Sequence, residues 1–254
     1  MIDLTVLTCA CHRPEAWALS EFYMRRQTLQ PVQWIVLDDD TPWSVCTMGQ
    51  EYVHNTAWAG RGALVAKLRY ALERNMIRGS AVVIWENDDW YDPRWLQIVA
   101  SWLEQGAIVG EGKSLYYNVR GRWWMQHKNM WHASLCETAF RRDTFADMLR
   151  ILQTNTDPYI DCRLWPGLAN LGDQPPADAK LFPYVMADPD VTGMRLSVGI
   201  KGMPGKNGYG VGHQYGCLPS GHRDPLGAKL REAIGEEDTQ RYDGFYVPQP
   251  GGAT

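Results

Sequence analysis

Three short apolar runs rich in β-branched residues, Leu4 to Thr8, Val32 to Leu37 and Ala81 to Trp85, constrain this chain more than any other feature. Each is too short for a helix and apolar on both faces, which is the signature of a strand buried between two layers. Helical periodicity fills the gaps between them. His12-Arg13-Pro14-Glu15 opens one periodic segment that continues to about Leu29, with proline tolerated in the first turn. Ala63 to Arg74 and Pro93 to Gln105 have the same period, and Ala107 to Gly110 reads as a further strand. Strands alternating with helices predict a parallel sheet covered on both faces.

Beyond residue 110 the pattern changes. Leu115-Tyr116-Tyr117-Asn118-Val119 and Arg122-Trp123-Trp124-Met125 flank Gly121 as two antiparallel strands would. Arg141 to Gln153 is periodic, Trp165 to Ala179 with its three prolines reads as a loop, and Leu196 to Lys201 as a short strand. From Gly202 to Gly221 there are seven glycines in twenty residues, a density that marks sharp bends or backbone close to a ligand. A last helix is expected at about Pro225 to Ile234, followed by a frayed tail, VPQPGGAT.

With 254 residues and 45% hydrophobic content, the chain can build a sizeable core, which excludes a disordered, collagen-like or disulfide-scaffold protein. The net charge of -4 offers no general attraction to nucleic acid or anionic membrane. Cys9, Cys11, Cys46, Cys136, Cys162 and Cys217 form no C-x-x-C pair and read as thiols of a reducing compartment. With no long apolar run and no signal-peptide pattern, a cytosolic location is expected, in a bacterium or a virus-infected host.

Two of the predicted strands end in acid. Asp38-Asp39-Asp40 closes the second and Glu86-Asn87-Asp88-Asp89 the third, so both clusters project from the carboxyl edge of the sheet, where ligands of open α/β sheets bind. Two carboxylate clusters side by side repel unless something positive lies between them. A hard divalent cation, Mn²⁺ or Mg²⁺, carrying a diphosphate satisfies both. In Glu86-x-Asp88 the two carboxylates share one face of an extended segment. Acidic turn formers and helix caps give the plainer reading. Asp38 and Asp40 also have the D-x-D spacing of an aspartyl phosphatase, but Pro42 stands where a threonine or valine would follow.

These residues resemble a known family. Thr5 to Asp39, with His12-Arg13-Pro14-Glu15 and Arg26-Gln27-Thr28, is similar to the opening of the family 2 type glycosyltransferases of GT-A fold, and IWENDDWYDPRW from Ile84 to Trp95 to their second signature. Two departures stand out: Glu86 replaces the usual aspartate, and Cys9-Ala10-Cys11 the usual Pro-Thr-Tyr. The resemblance implies an α/β fold with one GT-A-like, mostly parallel nucleotide-binding sheet flanked by helices and a smaller acceptor-side antiparallel element. It implies a single catalytic domain over residues 1–222, with a nucleotide-sugar half at 1–110 and an acceptor half at 111–222, before a C-terminal helix and tail at 223–254. Asp38 or Asp39 would contact the nucleobase or ribose, Arg13, Lys67 and Asp88 would contact the donor, and Glu86 and Asp88 would hold the metal. Asp157-Pro158-Tyr159-Ile160-Asp161-Cys162-Arg163 resembles the block bearing the general base, with Asp157 matching by spacing and Asp161 as its competitor.

The implied reaction is inverting transfer of a sugar from a nucleotide-diphosphate donor, a UDP-sugar, to an acceptor hydroxyl on a glycan or small molecule. Lys201 and Lys206, in the glycine-rich stretch, would face the diphosphate, and His213 resembles a late histidine placed on the metal. His213, Cys217 and His222 give only a weak zinc signal. Residues 118–143 carry a net charge of +3 interleaved with Trp123, Trp124, His127 and Trp131. Such a stretch suits a sugar-stacking site, core packing, or a nucleic-acid platform. A glycosyltransferase acting on hydroxylated bases of DNA is therefore the alternative, followed by a sugar nucleotidyltransferase or a non-catalytic carbohydrate or nucleic-acid binding protein.

Overall fold

The computed structural model describes residues 2–40, 46–60, 62–128, 130–156, 159–169, 181–205 and 221–247. The order is β1 Leu4–Ala10, α1 Pro14–Arg25, β2 Gln33–Asp38, β3 Glu51–His54, α2 Ala63–Glu73, β4 Ala81–Ile84, β5 Trp90–Tyr91 and α3 Trp95–Leu103. It continues with β6 Ile108–Glu111, β7 Leu115–Asn118, β8 Trp123–Gln126, β9 Thr138–Arg141, α4 Phe145–Thr154 and α5 Asp161–Ala169. The last elements are β10 Tyr184–Ala187, α6 Pro189–Thr192, β11 Ser197–Lys201, β12 His222–Arg223, α7 Ala228–Ile234 and α8 Glu236–Gln240.

The first sheet has seven strands in the order β10-β6-β9-β4-β1-β2-β3. Strands β3, β2, β1 and β4 run parallel, and β9 is inserted antiparallel between β4 and β6. Alternation along each strand divides the core into two layers. Val6, Val36 and Val83 face α1, α3 and the second sheet, while Leu7, Leu37 and Ile84 face α2, α4 and α5. The second sheet has five strands in the order β12-β8-β7-β11-β5.

Two separate sheets overturn the GT-A-like arrangement that the resemblance implied, and the resemblance to family 2 type glycosyltransferases of GT-A fold is corrected with it. The expected antiparallel element was only the hairpin of β7 and β8. In the structure that hairpin is the centre of a full sheet, because β11 pairs parallel with β7 and antiparallel with β5, and β12 pairs with β8. Two local expectations are also corrected. The residues before Phe145 that looked helical include Arg141, which ends strand β9, and α5 runs through Trp165 to Ala169 with Pro166 inside it, where a loop was expected.

The C-terminal helices fold back on the core. Asp238 of α8 accepts from the Trp90 indole at 2.7 Å and pairs with Arg26 at 2.5 Å, and the Tyr23 hydroxyl donates to that of Tyr242 at 3.0 Å. Among the described residues no helix is long and apolar enough to cross a membrane.

Buried acids fasten the two sheets together. Glu137, at the start of β9, accepts from Ser114 beside β7 and, at 3.1 Å, from Ser197 of β11. Glu111, at the end of β6, accepts from the Leu196 N–H at 2.8 Å and pairs with Arg195 at 3.2 Å. Burial lifts Glu137 to about 8 and Glu111 to about 7. Because the folded state holds these protons more tightly than the unfolded chain, their contribution to stability is full below the ordinary carboxylate range. It is lost progressively as pH rises from that range through about 7 to 8. Urea unfolding at pH 5.5 and 8.5 is expected to show lower stability at the higher pH, with a smaller difference in Glu137→Gln.

Candidate functional site

Strands β2 and β4 flank β1 on either side, with Asp38 opposite Ala10 and Ile84 opposite Leu7. Both acidic runs therefore leave the same edge of the sheet, two strands apart, or roughly 10 Å at the usual strand spacing. The loop after β1, carrying Cys11 to Arg13, runs between them. Cys9 and Cys11 register both sides: burial pushes the Cys9 thiol up to about 12, and Lys67, Glu86 and Asp39 all act on it.

Three of the cations assigned to this edge from sequence, Arg13, Lys67 and Lys201, each meet a carboxylate. Arg13 pairs with Asp88, both buried. Lys67 lies 3.2 Å from Asp39 and donates to the Ala10 carbonyl at 2.7 Å, fixing the Asp38 to Asp40 run against the end of β1. Lys201, at the end of β11, stands 4.0 Å from Glu86 and 3.9 Å from Asp89, above the Tyr116 ring. Burial opposes its charge, but Asp89, Asp88 and Glu86 together hold the ammonium above its usual range.

Within the acidic runs the roles divide. Asp38 is sealed, accepting from the Tyr52 hydroxyl at 2.6 Å and the Asp40 N–H at 3.0 Å, so it shapes the loop. Asp89 is also sealed, accepts from the Ile200 N–H at 2.8 Å, and is lifted well above the ordinary range by burial. Glu86 keeps 29% of its side chain exposed. Its N–H donates to the Tyr91 hydroxyl at 2.9 Å, and Tyr91 stacks on Trp85 at 3.8 Å.

Among the described residues, Glu86, Asp89 and Cys136 bring their ligand atoms within 4.8 Å of one another, and so do His132, Asp161 and Cys162. Asp161 opens α5 close enough for the Glu86 charge to act on it; burial is the larger cause that lifts its carboxyl to about 6. Burial lowers His132 to about 4. Gly205, with φ of +98°, packs on the His12 and Arg13 backbone, where a side chain would collide with the His12 carbonyl oxygen. That contact brings the start of the glycine-rich stretch to this edge. Asp157, Lys206, His213 and Cys217 lie outside the described residues.

The basic aromatic stretch is largely engaged within the molecule. Arg122 donates to the Pro225 carbonyl and pairs with Asp243, Arg141 pairs with Asp143, and Arg142 donates to the Ile77 and Gly79 carbonyls. Trp123 and Trp124 lie under Arg223 and Lys229. Trp131 is exposed. Tyr91, Tyr116, Cys136 and His132 went unnoticed as site residues: each is an ordinary core or loop residue in sequence, and only its cross-chain contacts show its place.

No family model matches the sequence, and no curated protein matches it. Solved structures similar to it include TarS of S. aureus, at 13% identity and a TM-score of 0.47, covering 74% of this chain and 37% of that one. TarS 1–349 in complex with UDP is similar at 12% identity and a TM-score of 0.44, covering 74% of this chain and 61% of that one. TarS 1–349 in complex with UDP-GlcNAc follows at 11% and 0.41, covering 73% and 58%. This chain thus spans less than two thirds of the length of these structures.

Proposed function

We propose that this chain is a glycosyltransferase moving a sugar from a nucleotide-diphosphate donor, a UDP-sugar, to an acceptor hydroxyl with inversion, in the presence of Mn²⁺ or Mg²⁺. One observation carries the reading: Asp39, Glu86 and Asp88 gather with Arg13, Lys67 and Lys201 on the carboxyl edge of parallel strands, with the raised carboxyl of Asp161 within electrostatic reach of Glu86.

The donor set fits a hard cation. Glu86 and Asp88 offer oxygen ligands, and the exposed part of Glu86 admits an ion with its waters. Cys136 stays protonated, because burial lifts its thiol well above the usual range, and so adds no ligand for such an ion. Glu86 and Asp88 would hold the metal, which would supply positive charge to offset that of the departing diphosphate. Arg13 holds the Asp88 carboxylate, Lys201 keeps positive charge beside Glu86, and Asp39 borders the nucleoside side of the donor. Asp161 takes the acceptor hydroxyl's proton on a carboxylate oxygen as that hydroxyl attacks the anomeric carbon. The competing assignment is Asp157, which rests on spacing alone.

A panel of nucleotide-diphosphate sugars with Mn²⁺ tests this. One donor is expected to raise the melting temperature and to be hydrolysed slowly. Glu86→Gln is expected to keep the fold and lose hydrolysis by about 10²-fold or more, the several kcal/mol a Lewis acid contributes. Hydrolysis unchanged in that variant rejects the site.

A further inference from the structure

We infer that His132, Asp161 and Cys162 form a binding site for a borderline-soft divalent cation of the zinc class, distinct from the proposed donor metal and able to form whether or not Asp161 serves the proposed proton transfer. The Cys162 sulfur lies 3.6 Å from His132 Nε2 and an Asp161 carboxylate oxygen, Oδ2, 3.9 Å from the same nitrogen. Both partners address one ring nitrogen. A nucleophile–histidine–carboxylate relay needs the thiol on one nitrogen and the carboxylate on the other, so this arrangement is not a relay. Three Lewis bases within 4.8 Å of one another are instead what a chelate requires.

The spacing suits a tetrahedral ion. With Zn–S of about 2.3 Å and Zn–N of about 2.0–2.1 Å, the sulfur and nitrogen ligands of a tetrahedral zinc stand about 3.6 Å apart, which is the separation between Cys162 and His132. The matching nitrogen–oxygen separation is about 3.4 Å, so the Asp161 oxygen has about half an ångström to move. Its other oxygen, Oδ1, already accepts from the Cys162 N–H at 3.0 Å, which turns Oδ2 toward His132. Nitrogen, sulfur and carboxylate donors together select zinc-class ions over Mg²⁺ or Mn²⁺. All three residues are only partly buried, so an ion can enter and water can complete a fourth position. While the ion is bound, Asp161 Oδ2 is a ligand and cannot accept a proton.

Cobalt reports the site without any assay of activity. The full chain, stripped with a chelator, is titrated with Co²⁺ and then with Zn²⁺. One equivalent of Co²⁺ is expected to give an intense near-ultraviolet thiolate-to-cobalt band, displaced by Zn²⁺. Cys162→Ser is expected to lose that band. Both Cys162→Ser and His132→Asn are expected to weaken Zn²⁺ binding at least about 100-fold by calorimetry, since outer-shell partners alone are worth roughly 10–100-fold, with circular dichroism unchanged. Absence of the band in the unaltered protein, or its survival in Cys162→Ser, overturns the site. If Cys162→Ser does not fold, undiminished Zn²⁺ affinity in His132→Asn overturns it instead.

Discussion

Replacing Asp161 by asparagine is expected to slow sugar transfer by about 10²–10⁴-fold, the usual worth of a positioned general base, with melting temperature and donor binding little changed. The carboxyl sits at the start of α5, lifted to about 6 by burial, so it is ionised at neutral pH yet retains more basicity than an ordinary carboxylate. In chelator-treated protein assayed with Mn²⁺, the rate is expected to rise with pH and level off above about 6, as Asp161 loses its proton. The neighbouring imidazole offers a competing explanation for a limb near 6. His132, held at about 4 by burial, is neutral throughout that range, so His132→Asn is expected to leave the limb in place. A limb that moves with His132, or a full rate in Asp161→Asn, assigns the proton transfer to another group, and Asp157→Asn then becomes the variant to measure.

The parallel half of the first sheet was legible because its strands are buried on both faces. In β2 and β4 the apolar residues run unbroken until an acid stops them, β1 is interrupted only by the buried Thr5 and Thr8, and no helix of ordinary length fits in so few residues. β9 was not legible. Its four residues, TAFR, are inserted antiparallel between β4 and β6, and Arg141 can be counted equally well with the periodic segment that follows. The second sheet was hidden for a different reason. Its strands come from residues 90–91, 115–118, 123–126, 197–201 and 222–223, and only the β7–β8 hairpin is a local pairing. No periodicity announces that Ser197 will lie beside Tyr91 or Gly199 beside Tyr116.

The same distinction governs the candidate site. Glu86, Asp88 and Asp89 were visible because they sit where a strand ends, and a carboxyl-end acid is a local fact. The partner of each was not visible. Arg13 reaches Asp88 across 75 residues, and the Ile200 N–H reaches Asp89 across 111. His132 and Cys162 are 30 residues apart, the one in a loop and the other in a helix, so their meeting depends on how that loop packs over α5. Arg13, Lys67 and Lys201, which sequence reading assigned to the donor, are, in the folded chain, already beside carboxylates, which makes them part of the fold as well as of the proposed site.

Lys201 shows what that double role costs to disturb. If it served only to attract a phosphate, Lys201→Met would weaken donor binding and leave stability alone. Instead its ammonium is buried within 4.0 Å of both Glu86 and Asp89, and the Asp89 side chain has no exposure at all. Methionine keeps the packing and removes the charge, leaving Asp89 uncompensated in a low-dielectric pocket. Breaking a buried pair in this way destabilises by about 3–5 kcal/mol. Asp89 can escape the penalty by holding a proton, and burial already lifts it well above its ordinary range. Without Lys201 its carboxyl rises further, so the variant's deficit is small while Asp89 holds its proton in both proteins and grows as pH climbs past the raised carboxyl of the unaltered protein. Urea unfolding of Lys201→Met is therefore expected to show a larger loss at pH 8 than at pH 5. Adding Asp89→Asn to Lys201→Met is expected to restore much of that loss and to flatten its pH dependence. An equal loss at both pH values, or no recovery in the double variant, shows that the lysine supports the sheet junction through packing on Tyr116 rather than through its charge.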